Sequence, residues 1–439
     1  MIFFKIAFRN VIKNWRHSLS ALLSLSASFV SLVVFDGYID DIKKMYDDSF
    51  RHRQMLGDLI IEKPMIHQKQ GLLEPWKFWF NEAEQEKIDV FLKSHPDLVQ
   101  ERVRSLNLQG LISNGSQSAI FIGRGFDLDS GERMRGSGWR WNAKLGLPLT
   151  SDSKDFSVML GQGLSRKLGC SWEVKETLIE KNGGYKALER PFKCISKDLQ
   201  ISTMTADAQI NAVDVQVLGL MDGGYKDIDD RFIQTSLVTA QTLMNTKDVA
   251  FYTVELKDRS FLATFIQKFN NEVQPQIKEA TAMSWIDHPA GETFLKTMNL
   301  MAIFRNFVVV VILIISTLSV FNTLIKIIKE RTKEIGTLRS VGFTALQIQK
   351  IFFLETLFLS FMGISIGLVA ALIVTFILNS FKILYKAGIL SDPVLFGINI
   401  YIPSYISAFL ILLIVSLFAC FISIRSSLSQ KVIDNINHA

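Results

Sequence analysis

Residues 306–325 read NFVVVVILIISTLSVFNTLI and run directly into residues 326–355, KIIKERTKEIGTLRSVGFTALQIQKIFFLE. The first stretch carries no charge across 20 residues. A helix of about 20 mostly apolar residues crosses the roughly 30 Å of hydrocarbon in a bilayer. The second stretch is its opposite, with six basic and two acidic side chains between residues 326 and 350. An apolar span that ends in a compact charged segment makes this a membrane protein with a distinctive element at one membrane face.

Working outward, three more runs lack charge: residues 18–35, 356–381 and 393–424. The first contains six serines, which in a bilayer helix mark a face that packs on other helices. Lys5, Arg9, Lys13 and Arg16 before it would also suit the basic region of a signal peptide, with Ser26-Ala27-Ser28 as a cleavage site. The apolar run continues past that site to Val34, which suits an uncleaved anchor better.

Composition agrees with a few spans plus a large polar domain. Of 439 residues 49% are hydrophobic, and mean hydropathy is +0.24. That is too apolar for disorder and too polar for a chain embedded throughout. A net charge of +6 is too weak to imply nucleic-acid binding. Three cysteines exclude a disulfide-stapled scaffold and a cysteine zinc cluster.

The charges are unevenly placed. Residues 1–17 hold four basic and no acidic side chains, whereas residues 36–305 hold 34 basic and 37 acidic. Positive loops stay in the cytoplasm. Both termini and the 326–350 segment are therefore expected there, and residues 36–305 outside. The expected fold class is a multi-pass α-helical membrane protein with four transmembrane helices and a large α+β extracytoplasmic domain inserted between helices 1 and 2. The expected layout is a cytoplasmic amphipathic N-terminus (1–17), helix 1 (18–40), the extracytoplasmic domain with its stalk (41–295) and helix 2 (296–328). A cytoplasmic coupling segment (329–350), helix 3 (351–381), an outer loop (382–402), helix 4 (403–424) and a cytoplasmic tail (425–439) follow.

In the large domain, residues 118–122, 213–220 and 249–256 read as strands. Residues 82–92, 161–168 and 261–273 read as helices, the first ending before Pro96. No G-x-x-x-x-G-K-[ST] loop is present, so no ATP site of that type is expected. H-E-x-x-H and G-x-S-x-G are also absent. The six histidines, His17, His52, His67, His95, His288 and His438, show no metal-ligand spacing, and no metal is expected. Gly123 and Gly125 in GRGFD read as a turn, as does Asn114-Gly115-Ser116. Asp222, Asp227, Asp229 and Asp230 read as a solvated loop, since calcium-loop spacing is lacking. Cys170 and Cys194 share the outer domain, where both a disulfide and two buried thiols are ordinary.

The 326–350 segment reads as a continuation of the second span. Gly342 is its C-cap, and Thr344 is the N-cap of the next helix. Glu355, at the start of an apolar run, reads as a membrane-boundary anchor paired with Lys350 or a loop arginine, or as a coupling residue.

The pattern E-I-G-x-x-(R/K)-(A/S)-x-G is met by Glu334, Ile335, Gly336, Arg339, Ser340 and Gly342, followed by Glu355, Gly363 and Gly367. With this topology it resembles the FtsX-like, or MacB-type, permease family of ABC transporters over essentially the full length. Residues 158–174 resemble the family's strand, glycine turn and helix, with Trp172-Glu173 in place of its usual Gly-Asp. Residues 121–132 and 215–230, followed by Gln241, look most like the lipoprotein-releasing branch.

The resemblance implies a permease with no cofactor of its own, ATP being bound by a separate cytoplasmic ATPase. It implies a second permease copy or paralogue, a periplasmic carrier or adaptor, and residence in the cell inner (plasma) membrane with a periplasmic large domain. Glu330, Arg331, Glu334, Ile335, Gly336, Arg339 and Gly342 would couple to the ATPase. Lipoprotein release, efflux through an outer-membrane duct and signalling to a cell-wall hydrolase are the functions it allows.

Overall fold

The computed structural model describes residues 9–10, 15–139, 143–173, 191–221, 223, 226–385 and 394–428. Asp222 of the acidic loop, most of the N-terminal segment and the tail residues Lys431 and Asp434 lie outside them. The chain divides into two compact units, one of residues 1–43, 297–383 and 396–439, the other of residues 44–296 and 384–395.

The first unit is helical. Its elements are α1 (Trp15–Asp48), α2 (Glu292–Glu330), α3 (Thr332–Ser340), α4 (Ala345–Ser380) and α5 (Ile402–Leu428). Both α1 and α2 continue past the unit boundary without a break. Among the described residues, four helices are long and apolar enough to cross a membrane: α1, α2, α4 and α5. Their inward faces form one apolar cluster that includes Leu25, Phe29, Val320, Leu324, Ile364 and Leu412.

Small residues set the close approaches. Gly363 and Gly367 of α4 face α1, where a Cβ would meet Leu22 and Leu25 at one position and Ser26 and Phe29 at the other. The buried hydroxyls of Ser360 and Ser416 hydrogen-bond between α4 and α5 at 2.6 Å. Ser26 and Ser28 of the serine-rich run are buried, consistent with a packing face.

The second unit is built on a sheet of ten strands. In chain order they are β1 (Leu59–Glu62), β2 (Val99–Ser113), β3 (Ser118–Phe126), β4 (Leu145–Gly146) and β5 (Ser157–Gly161), and a separate two-strand pair β6 (Cys170–Ser171) and β7 (Lys193–Cys194) follows. The sheet continues with β8 (Asp198–Met204), β9 (Ile210–Met221), β10 (Phe232–Ser236), β11 (Phe251–Leu256) and β12 (Thr281–Ser284). The order is β12-β1-β11-β2-β3-β10-β5-β9-β4, with β8 bridging β2 and β9. Among the described strand pairs, β3–β10 and β5–β9 run parallel and the others antiparallel. The expected helices form at Glu82–Ser94, Gln162–Lys167 and Leu262–Glu272. The first begins at a capping box between Asn81 and Glu84.

The turn expected at GRGFD is wrong. Gly123 and Gly125 lie inside β3, and a helix, Leu128–Trp139, follows. The glycines are needed for packing, since a Cβ would strike Ile233 of β10 at one position and Ala240 at the other. Asn114 does make a turn, its Oδ1 accepting the N–H groups of Ser116 and Gln117. Cys170 and Cys194 form a disulfide that joins β6 to β7.

Phe50, Trp285 and Phe294 meet in this unit. Phe294 lies in the first turn of α2, and Phe50 directly follows α1. The roots of both helices are thereby packed into one aromatic cluster.

Candidate functional site

The charged segment after the second span forms the candidate site. α2 ends at Glu330, because Arg331 leaves helical geometry (φ −101°, ψ 14°). The hydroxyl of Thr332 donates to the carbonyls of Ile328 at 3.2 Å and Lys329 at 2.8 Å, which satisfies the last turn. After α3, Gly342 turns the chain at φ +103°, a left-handed conformation that favours a residue without Cβ. Thr344 then starts α4 with a capping box: its hydroxyl accepts from Gln347 N–H at 3.3 Å, and Gln347 Oε1 accepts from Thr344 N–H at 2.9 Å.

The break at Arg331 corrects the expectation of a helix continuing from the second span. Its physical cause is the inward turn of this side chain. Nη1 donates to both oxygens of Glu355, at 3.0 and 2.9 Å, and Nε donates to Glu334 at 2.8 Å. The guanidinium lies 5.2 Å from the centroid of the Phe352 ring. Asn10 Nδ2 donates to Glu355 at 2.6 Å. Glu355 is only 5% exposed, so these partners are what make its burial tolerable. Of the partners read for Glu355, the loop arginine is the one it takes.

The expected coupling residues separate into two groups. Glu330, Glu334 and Gly342 are exposed. Ile335 and Gly336 are buried, and Arg331 and Arg339 are half-buried. Ile335 belongs to the apolar cluster of its own unit, together with Ile348 and Phe352. Gly336 is covered by its own chain. Ser340 Oγ donates to its carbonyl at 3.0 Å. Arg339 keeps a buried guanidinium nitrogen with no hydrogen-bond partner among the described residues.

Two residues not singled out in the sequence complete the surface. Val341 is 75% exposed and Leu346 70%, on either side of the Gly342 turn. Two large apolar side chains bracketing a glycine turn were the available signal. Exposed Lys333, Glu334 and Thr337 of α3 provide a polar flank. The segment thus has a buried ionic base and an apolar tip.

The fold also relates histidines that sequence spacing does not. Glu62, His67 and His288 are far apart in sequence, yet the fold collects them in the α+β unit. Glu62 Oε1 lies 2.6 Å from His67 Nε2 and 2.9 Å from His288 Nε2. The hydrogen bond to Glu62 raises the pKa of His67 above the ordinary histidine value. For Glu62, burial acts upward, but the hydrogen bonds from His288 and His67 outweigh it and hold the carboxyl below its usual range.

Residues 306–432 match the family described as the FtsX-like permease C-terminal domain. The ABC transporter permease YtrF of Bacillus subtilis (strain 168) is 22% identical over 387 residues, covering 84% of this chain and 83% of that protein. The extracellular domain of the noncanonic ABC-type transporter YknZ from Gram-positive bacteria aligns with 52% of this chain and 100% of its own, at 12% identity and a TM-score of 0.33. The periplasmic region of MacB from Actinobacillus actinomycetemcomitans aligns with 55% of this chain and 92% of its own, at 12% identity and a TM-score of 0.34. The chain thus has four apolar helices, a charged helical segment between the second and third of the spans, and over residues 306–432 a match to the FtsX-like permease C-terminal domain, and it is similar over most of its length to an ABC transporter permease.

Proposed function

We propose that this permease couples ATP hydrolysis by a separate cytoplasmic ATPase to extraction or release of an amphiphilic substrate at the membrane, with a lipoprotein as the first candidate. The observation that carries this reading is the exposed tip of Val341 and Leu346, set on a segment anchored by Arg331 and Glu355. An apolar tip beside charged α3 suits docking to a soluble protein. The tip is separated from α2, a 39-residue helix, by α3, and the Arg331–Glu355 anchor would pass a displacement of the tip on to that helix.

The charge distribution supports a cytoplasmic tip and an extracytoplasmic α+β domain in the inner membrane. The four runs contain no Asp, Glu, Lys or Arg to line an aqueous path, which favours mechanical handling of substrate over conduction. The lipoprotein candidate rests on the resemblance of residues 121–132 and 215–230. A second permease copy or paralogue and a periplasmic carrier or adaptor would complete the machine. The permease itself binds no nucleotide in this reading.

The test is reconstitution in proteoliposomes with the co-purifying ATPase. ATP-dependent transfer of an acylated protein to the soluble fraction is the expected result. Transfer of a small amphiphile alone would establish efflux. ATP turnover without transfer of either, accompanied by activation of a cell-wall hydrolase, would establish signalling.

A further inference from the structure

We propose that Glu62, His67 and His288 form a binding site for one divalent transition-metal ion of the zinc class. Two imidazoles and one carboxylate are a donor set that suits zinc, and the three ligand atoms lie within 4.8 Å of one another. A tetrahedral zinc with bonds of about 2.0–2.1 Å holds its ligand atoms roughly 3.4 Å apart. His67 Nε2 and His288 Nε2 are already 3.3 Å apart. The Glu62 oxygen, at 2.6 and 2.9 Å from them, need recede by only a fraction of an ångström.

Rigid elements deliver the ligands. Glu62 ends β1, where it pairs with Thr281 of β12. His67 closes the short turn Pro64–His67. His288 caps the turn Pro289–Gly291, from which α2 continues. Glu62 and His288 are buried while His67 is exposed, which gives an ion a way in and leaves room for water as a fourth ligand.

Loading has a chemical consequence at His288. Its Nδ1 accepts the Ala290 N–H at 3.0 Å, so in the metal-free cluster the ring proton is on Nε2 and is donated to Glu62. Zinc at Nε2 needs the other neutral tautomer, so the Nε2 proton passes to water, Nδ1 takes one up from water, and the net proton count of the ring is unchanged. The Ala290 N–H loses its acceptor and turns to water, which exposed Ala290 permits. His67 must also be neutral to bind. A metal bond thereby replaces the cap of the turn that leads into α2.

The bland alternative is two imidazoles that only neutralise a buried carboxylate. The full chain, purified in mild detergent on an affinity tag without histidine and stripped with a chelator, separates the two. Zinc is titrated against a chromophoric chelator, and bound metal is counted by elemental mass spectrometry. Wild type is expected to hold one zinc per chain, and His67→Ala to weaken binding at least tenfold. His67 is exposed, so this variant keeps its fold, and its metal-free melting temperature checks that. Cobalt should give the intense visible bands of a tetrahedral site in wild type only. Zinc should also speed hydrogen exchange at the Ala290 amide. Equal zinc binding by wild type and His67→Ala, or no zinc retained by wild type, overturns the proposal.

Discussion

Arg305 and Arg331 each hold a carboxylate between helices of the membrane unit, but in different surroundings. Arg305 lies within α2 and donates to Asp36 of α1 at 2.6 and 2.9 Å, while Ser404 of α5 donates to the same carboxylate at 2.6 Å. Arg331 lies just past the other end of the charge-free stretch. At 1.5 Å per residue the helix between them spans about 39 Å, somewhat more than the hydrocarbon of a bilayer. Each pair therefore reaches headgroup level, where a charge is tolerated, and together they bracket the span. The arginine side chain is 39% exposed in the Asp36 pair and 13% in the Glu355 pair. One arginine serves one carboxylate at a wet edge; the other serves two and sits over a ring. Identical chemistry thus gives a modest brace at one end and a structural keystone at the other.

The sharpest way to break this comparison is Arg331→Ala. It leaves Glu355 buried with Asn10 as its remaining hydrogen-bond donor among the described residues, and it removes the reason for the break between α2 and α3. Loss of one partner of a buried pair costs about 3–5 kcal/mol. The expected outcome is a large fall in the unfolding midpoint in detergent, with ATPase coupling lost. Arg331→Lys should recover only part, because a point charge cannot serve Glu355 and Glu334 in the same fork.

Between the two ends, Gly367→Leu tests whether α1 and α4 touch as closely as described. The added side chain must displace Phe29 and Ser26, at a cost of about 1–3 kcal/mol. Unchanged stability would show that the helices are further apart. Arg305→Ala should cost less than Arg331→Ala, about 1–2 kcal/mol, because Ser404 still donates to Asp36. Equal losses for the two arginine variants, measured side by side, would remove the distinction between brace and keystone.

The spans were legible because apolar length and absent charge are local properties. The strands and helices of the α+β unit were legible where turn residues bounded them, as at Asn81 and Ser118. What needs distant partners was not. GRGFD read as a turn because its glycines look local, whereas their role is set by Ile233 and Ala240 more than a hundred residues away. His67 and His288 read as scattered because the pairing of β1 with β12 is what brings them together. The Arg331 break was hidden by good helix formers on both sides, and only the burial of Glu355 explains it. In the candidate segment, the exposed acids were found from charge pattern. The burial of Gly336 was not legible, because a glycine that packs inward and one that meets a partner look alike in sequence.

The smallest expected effect on stability belongs to the tip, and it bears most directly on function. Val341 and Leu346 are exposed and lie outside the apolar cluster of the membrane unit. Val341→Glu and Leu346→Glu should therefore change stability by no more than about ±0.5 kcal/mol. They are cleaner probes than Glu334→Lys, which would place a second cation beside Arg331 at a position now paired at 2.8 Å. If the tip is where the ATPase docks, either glutamate puts a charge into an apolar contact and should abolish capture of the ATPase in a pull-down at matched expression. The keystone variant fails differently, by losing structure as well as coupling. A tip variant that melts like wild type and still binds the ATPase at full strength would show that the segment only connects two spans, and the functional weight would then move to the α+β unit.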